Sequence, residues 1–249
     1  MPHTRPRLAF NLRWLSTPIL TLLALGAAAY AVLPMVLVLA GSLESQPQKI
    51  FSYWDPLSFR AFIPPGLTGS SYSSVLAGSF GTALLNSIIV AVSTVVLGLI
   101  MSILAAYALA VLRFRFREAV FALVVVSFLI PFDAVSIPLS GTFRSWGLSN
   151  SLVGLVLPGL ANGFAVFLLR QFFLDIPGEL VDAARIDGMS HRQIIVYIFL
   201  PLARAAIIGA GLLLFLAQWQ EYLWPLLTIT TTSRRVVSKG VRLTGGRTD

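Results

Sequence analysis

Four of the ten acidic residues lie in one short stretch, Asp175-Ile176-Pro177-Gly178-Glu179-Leu180-Val181-Asp182-Ala183-Ala184-Arg185-Ile186-Asp187-Gly188. Carboxylates so concentrated could hold a metal, exchange protons or pair with the arginines of a partner. The first two readings lack their other half. The chain has no cysteine and two histidines, His3 and His191, far apart and in basic surroundings that read as solvated, too few for a zinc site. No Ser/His/Asp set shares a plausible site and no paired carboxylates mark a cleft. The nearest approach to a phosphate-binding loop, Gly240-Val241-Arg242-Leu243-Thr244-Gly245-Gly246-Arg247-Thr248, has Gly246 where the lysine must stand. No catalytic residue, metal or cofactor is assigned.

Pairing with a partner remains. Asp175 suits a helix cap with Pro177 in the first turn and Glu179 near the positive helix end. Leu180, Ala183, Ala184 and Asp187 recur at helical spacing, and Gly188 suits a left-handed stop. Ser190 with Gln193 reads as a capping box opening the next helix. The expectation is a short helix, a sharp turn and the root of another helix. The adjacent alanines would let a partner's groove close around the backbone, and the acids would meet arginines. The competing reading, an interfacial helix resting on headgroups, is opposed by the acids, because the inner leaflet attracts basic segments.

These residues need a scaffold, and the composition says which. Of 249 residues, 57% are apolar and 11% charged, against roughly 45–50% and about 25% in soluble domains; mean hydropathy is +0.85. A soluble fold could not cover itself with so few charges, so the class is an all-α polytopic membrane protein. Apolar runs place about five spans near 15–41, 83–112, 119–140, 151–172 and 194–228. The organisation is a short segment 1–14, a first span, an external loop 42–81, a core 82–228 holding the acidic loop 174–193, and a basic tail 229–249. In the loop, Trp54, Phe59, Phe62 and Tyr72 suit the membrane surface. A secretion signal is the rival for the first span, since Arg5, Arg7 and Arg13 precede it and Ala29-Tyr30-Ala31 resembles a cleavage site. The apolar run continues to Leu39, which favours an uncleaved anchor.

Net charge is +8, but its distribution is a topology signal rather than a nucleic-acid footprint. With the N-terminus inside, inner segments hold ten arginines (5, 7, 13, 113, 115, 117, 170, 185, 192 and 204), and outer loops hold Lys49, Arg60 and Arg144. The bias puts the N-terminus in the cytoplasm. Five spans then leave Arg234, Arg235, Lys239, Arg242 and Arg247 outside, against the rule. Two acids sit near span ends, Asp133 and Glu221. Glu221 is the stronger candidate for a pathway-facing group, with Trp219 beside it; Trp219 and Trp224 read foremost as packing or interfacial residues.

Asp182-Ala183-Ala184, three residues, Gly188, nine residues, then Ile198-Phe199-Leu200-Pro201 resembles the cytoplasmic EAA loop of bacterial ABC-importer permeases, with Asp for the usual Glu. Asn86-Ser87-Ile88, Ala105-Ala106-Tyr107-Ala108-Leu109, Arg113-Phe114-Arg115-Phe116-Arg117, Ile130-Pro131, Ile137-Pro138-Leu139, Phe167-Leu168-Leu169-Arg170-Gln171-Phe172-Phe173 and Trp219-Gln220-Glu221-Tyr222-Leu223-Trp224-Pro225 narrow the resemblance to maltose-type carbohydrate permeases, over about residues 80–228. The resemblance implies a multi-pass subunit of the bacterial inner membrane that is not itself an enzyme. Its partners would be a second related permease, a cytoplasmic ABC ATPase dimer and an extracytoplasmic solute-binding protein. Glu179, Asp182, Ala183, Ala184, Gly188, Ile198, Leu200 and Pro201 would form the ATPase-docking set, with both alanines in the ATPase cleft.

The alternative is a subunit or fragment of an ion-coupled secondary transporter. That would place titratable groups near the bilayer midplane, often in repeated halves; the span centres are nearly charge-free and show no repeat. A membrane-embedded enzyme would need the absent catalytic set. The family pattern has six spans. Since no sixth apolar run follows residue 228, the expectation is a lost last helix or a truncated or frameshifted sequence.

Overall fold

The computed structural model describes residues 13–45, 49, 52, 58–63 and 65–240. Arg5, Arg7, Trp54, Arg242, Arg247 and most of the glycine-rich decoy lie outside the described residues. Two compact units divide at Val75 and Leu76.

In the first unit, α1 (Arg13–Ser42) is a 30-residue helix with Pro18 and Pro34 inside it. Leu20, Leu23, Tyr30, Met35 and Val38 are all more than half exposed. A helix apolar all round and unburied in its own chain belongs in lipid or against other helices. A short antiparallel bridge joins Glu44 to Leu67, and a 3₁₀ turn, Phe59–Ala61, is capped by Ser58. Phe59 and Tyr72 are exposed, and the Tyr72 hydroxyl lies 2.6 Å from Ser42 Oγ. A short helix, α2 (Ser70–Ala77), crosses the unit boundary.

The second unit is organised on α3 (Ser79–Val111), 33 residues long, or about 50 Å at 1.5 Å per residue. Ala91, Thr94, Gly98, Ser102 and Ala106 are buried along one side of it. Small side chains at this spacing let neighbouring helices approach closely. The neighbours are α6 (Leu152–Leu160), α7 (Gly163–Leu174) and α11 (Arg204–Gln220). At the α3–α6 crossing, a Cβ on Gly159 would stand 2.5 Å from Thr94 Cγ2, so only glycine fits there.

Two helices, α1 from Pro18 and α3, are each long and apolar enough to cross a membrane; three bent pairs bring the number to five if each pair is one crossing. The expected run 119–140 is such a pair. Here α4 (Arg117–Leu129) and α5 (Phe132–Ser145) meet at 95°. The residue before a proline is pushed out of the helical region, and Ile130, before Pro131, has ψ 119°. α6 and α7 bend by 41° at Ala161-Asn162. The expected run 194–228 is broken most. α9 (His191–Ile194), a π-helical turn Ile195–Phe199 and α10 (Leu200–Leu202) form one stretch, which meets α11 at 84°. Pro201 lacks an N–H and crowds the carbonyl four residues back, and the widened turn just before it accommodates this. α11 therefore starts at Arg204, and α12 (Leu223–Thr228) follows as a separate short helix.

The segment after 228 is more than a basic tail. A 3₁₀ turn (Thr232–Arg234) and α13 (Val237–Gly240) return it to α3. Ile229 and Val236 are buried in a cluster with Val90, Leu155, Phe143 and Trp224. Asn86 Nδ2 donates to the carbonyls of Ser233 (3.0 Å) and Arg235 (2.9 Å). Asn150, at φ +56°, accepts at Oδ1 from Thr230 N (2.6 Å) and Thr231 N (3.1 Å), and its carbonyl accepts from Arg234. Charge counting placed these arginines outside by default, whereas backbone capture by two asparagines fixes them.

If Asn150 holds this segment, Asn150→Ala removes at least two hydrogen bonds of about 1 kcal/mol each. Trypsin cleavage at Arg234 or Arg235 in detergent then accelerates at least tenfold, and unchanged cleavage would refute the anchor.

Candidate functional site

The acidic stretch forms α8 (Gly178–Ile186). Its N-cap is Pro177, with no side-chain cap bond; Asp175 instead ends α7 as its C-cap. Proline's fixed φ starts the helix, and Asp175 is two residues too early to reach it. Glu179 in the first turn and Arg185 in the last complement the helix dipole. The end is a Schellman motif: Met189 N donates to Ala184 O (2.9 Å) and Gly188 N to Arg185 O (3.0 Å), with Gly188 at φ +78°. Ser190 and Gln193 form the reciprocal capping box that opens α9.

Helical rotation sorts the α8 side chains into two faces. Val181 and Ala184 are buried in a core with Ala106, Tyr107, Phe173, Ile194 and Phe199. Glu179, Asp182, Ala183 and Ile186, at i, i+3, i+4 and i+7, form an exposed ridge, where Ile186 is 87% exposed. The two alanines therefore part company. Ala183 faces out, whereas Ala184 packs into its own chain and is not free to enter a partner's cleft. Ile198 packs against the same core, Leu200 is half-buried and Pro201 is exposed; they shape the base of α11 rather than the ridge. Ile186 is the ridge residue that the motif did not flag; its register with Glu179 was the available signal.

Two contacts tie the helices on either side of α8 to the bundle. Tyr107 of α3 lies 2.8 Å from His191 Nδ1 and sets its ring edge-on to Phe199 at 5.1 Å, and Phe199 meets Phe173 at 5.0 Å. His191, read as solvated, is exposed yet paired. Arg170 of α7 is 7% exposed. Its Nε donates to Leu109 O (3.1 Å), its Nη2 reaches both Glu118 carboxylate oxygens (3.2 Å), and its guanidinium lies 3.8 Å from the Phe121 ring centroid. Sequence counting used Arg170 only as a topology charge; its place among Phe167, Leu168, Leu169, Phe172 and Phe173 was the sign that it must be paired.

A second feature lies among the helix breaks, a cavity of about 670 Å³. Ile130 and Pro131, Ala161 and Asn162, and Glu221 all line it. Asn162 Oδ1 accepts from Ala165 N (2.9 Å) and Glu221 Oε1 from Trp224 N (3.0 Å), each capping a restarting helix. Thr94, whose buried hydroxyl has no hydrogen-bond partner, and Gln218 also line it. Neither was singled out from sequence, although each is a polar residue in a charge-free run. Glu221 lines the cavity. Trp219 is off it, 40% exposed and stacked on Phe215 at 5.5 Å. Trp224 is core, its Nε1 donating to Gly154 O at 3.0 Å. Asp133 is exposed on α5. Among the described residues no group of His, Cys, Asp and Glu could hold a metal.

Residues 95–239 match the family model of the binding-protein-dependent transport system inner membrane component. The chain is 34% identical over 188 residues to the sn-glycerol-3-phosphate transport system permease protein UgpE of Rhizobium meliloti (strain 1021), covering 72% of this chain and 67% of that one. It is 33% identical over 153 residues to the lactose transport system permease protein LacG of Rhizobium radiobacter, covering 61% and 56%. A chain of a bacterial ABC transporter involved in the import of the acidic polysaccharide alginate superposes with TM-score 0.77 at 26% identity, covering 97% of this chain and 82% of that one. The matches to these two curated relatives span between half and about two thirds of their length.

Nothing lies within 4 Å of a Cβ added at Gly188, so any penalty there is purely one of backbone. Gly188→Val opposes the left-handed turn by roughly 1–2 kcal/mol, whereas asparagine tolerates it. Amide exchange at positions 188 and 189 is expected to quicken about tenfold in Gly188→Val and less than threefold in Gly188→Asn; equal effects would exclude this account.

Proposed function

The chain belongs to the family of binding-protein-dependent transport system inner membrane components, and on that premise we propose that it is the permease subunit of an ATP-driven ABC importer for a carbohydrate. The observation that carries the mechanism is the two-faced α8, one face built into the bundle core and the other, Glu179, Asp182, Ala183 and Ile186, turned outward. A cytoplasmic ATPase closing on that ridge would move α8 as a rigid piece, since its end is locked by Gly188 and its base by Val181 and Ala184. Ile186 and Ala183 would fill an apolar slot, and the two acids would meet cations at its rim. Energy comes from the separate ATPase subunits, so this chain supplies no hydrolytic group.

Motion at α8 would pass through Phe199 and Tyr107 to α3, and through α10 to α11. Both α3 and α11 wall the cavity, through Thr94 and Gln218. With Asn162 and Glu221 these offer hydrogen bonds to hydroxyls, and among its lining residues there is no lysine or arginine. That chemistry suits a neutral polyhydroxylated solute more than a phosphate or carboxylate. A second related permease would complete the pathway, and an extracytoplasmic binding protein would deliver the solute. The arginine bias supports an N-terminus in the cytoplasm, with α8 on the same side. The segmentation of the chain into an N-terminal anchor and a permease core follows this reading.

The test is reconstitution with the ATPase, the second permease and the binding protein. Ile186→Asp and Ala183→Trp are expected to insert normally, to retain at least tenfold less ATPase subunit on purification and to lose ATP-dependent sugar uptake. Full uptake with both variants would end the proposal.

A further inference from the structure

The turn between α3 and α4, Arg113-Phe114-Arg115-Phe116-Arg117, is absorbed neither by the α8 ridge nor by the cavity. Arg117 pairs with Glu118 at 3.0 Å, and Arg170 reaches the same carboxylate at 3.2 Å. That carboxylate is thus shared by two guanidiniums. Among the described residues, Arg113 and Arg115 have no carboxylate within ion-pair distance, and both are exposed. Residues 113–119 wall a surface basin of about 640 Å³.

The aromatic residues of the turn are equally unusual. Phe116 sits at φ +67°, a conformation that costs a non-glycine residue roughly 1–2 kcal/mol. Its ring is 67% exposed, with the Arg115 guanidinium 4.9 Å from its centroid. From Phe116 an exposed apolar stripe continues along α4 through Val120 (41%) and Leu123 (70%), at i+4 and i+7. The opposite side of α4 is occupied by α7, where Phe121 stacks on Phe167 at 6.0 Å. On the proposed function, α3 and α4 lead from this turn into the bilayer, which sets its arginines at headgroup depth and its stripe at acyl depth.

We propose that this turn and the outer face of α4 bind one anionic phospholipid, with its phosphate between Arg113 and Arg115 and an acyl chain along Phe116, Val120 and Leu123. The shared chemistry is an oxyanion met by guanidinium, which soluble phosphate or the carboxylates of an acidic protein surface could also supply. The stripe decides for lipid, because it runs from the cations along a helix that enters the membrane, where neither alternative follows.

The experiment is native mass spectrometry of the detergent-purified protein, with its copurifying subunits, titrated with phosphatidylglycerol or phosphatidylcholine. Phosphatidylglycerol adducts are expected to survive activation at least fivefold better than phosphatidylcholine adducts. That preference disappears in Arg113→Gln/Arg115→Gln and weakens in Leu123→Asn. Wild-type protein alone keeps the idea exposed to failure should a variant not fold: equal retention of the two lipids overturns it, and so does displacement of phosphatidylglycerol by millimolar inorganic phosphate, which would mark a soluble-anion site. A double variant that keeps its lipid preference but sheds the ATPase subunit also overturns it, and assigns the turn to a protein contact.

Discussion

A guanidinium removed from water must be met on every side, and Arg170 is met by groups from two other helices. It takes the Leu109 carbonyl from the last turn of α3, where helix carbonyls lack intrahelical partners. It takes the Glu118 carboxylate from the first turn of α4 and the Phe121 ring one turn further on. Removing one partner of such a buried cation costs far more than the pair contributes, so the three helix ends are held in register by a single residue. α7 ends four residues after Arg170 and gives way directly to α8. The place where α8 leaves the bundle, and the place of the basic turn between α3 and α4, are therefore set by the same contact.

From that anchor the design of α8 follows. A nine-residue helix is too short to be stable alone, so it must be pinned at both ends and along one face. The proline start, the glycine stop and the burial of Val181 and Ala184 supply this and leave the ridge exposed. Beneath it, Tyr107, Phe173 and Phe199 meet edge-on, an arrangement that resists compression because interiors are close-packed. On the proposed function, displacement of the ridge would pass to α3 rather than be absorbed.

The local grammar of the acidic loop was legible in the sequence. Gly188, the Ser190–Gln193 box and the short helix between them are dictated by neighbouring residues, and the EAA spacing added the family. What escaped was whatever depends on residues far apart in the chain. Whether Ala184 faces inward is decided by Tyr107 and Phe199, not by its neighbour Ala183. Asp175 looked like a cap because it precedes a helix, but α7 extends to within one residue of it. The segment 229–240 looked like a tail because its own residues are polar; Asn86 and Asn150, about 150 and 80 residues upstream of their partners, make it part of the core. Continuous apolar runs likewise concealed the bends, since hydropathy does not register a proline's effect on its neighbour.

Those bends explain where a passage could lie. Inside a bilayer an interrupted helix exposes backbone groups that lipid cannot satisfy, so breaks are tolerated only where protein surrounds them or water reaches them. Here the breaks at Pro131, Asn162 and Glu221 converge on one cavity. The side chains of Asn162 and Glu221 are spent on backbone N–H groups of the helices they restart. Glu221 is then first a cap. This also accounts for an acid in an apolar run that, among the described residues, pairs with no cation: the N–H groups at the start of α12 provide the positive end that a carboxylate needs. Polar residues at these helix breaks thus serve structure first, and the cavity owes its position to the prolines and caps around it.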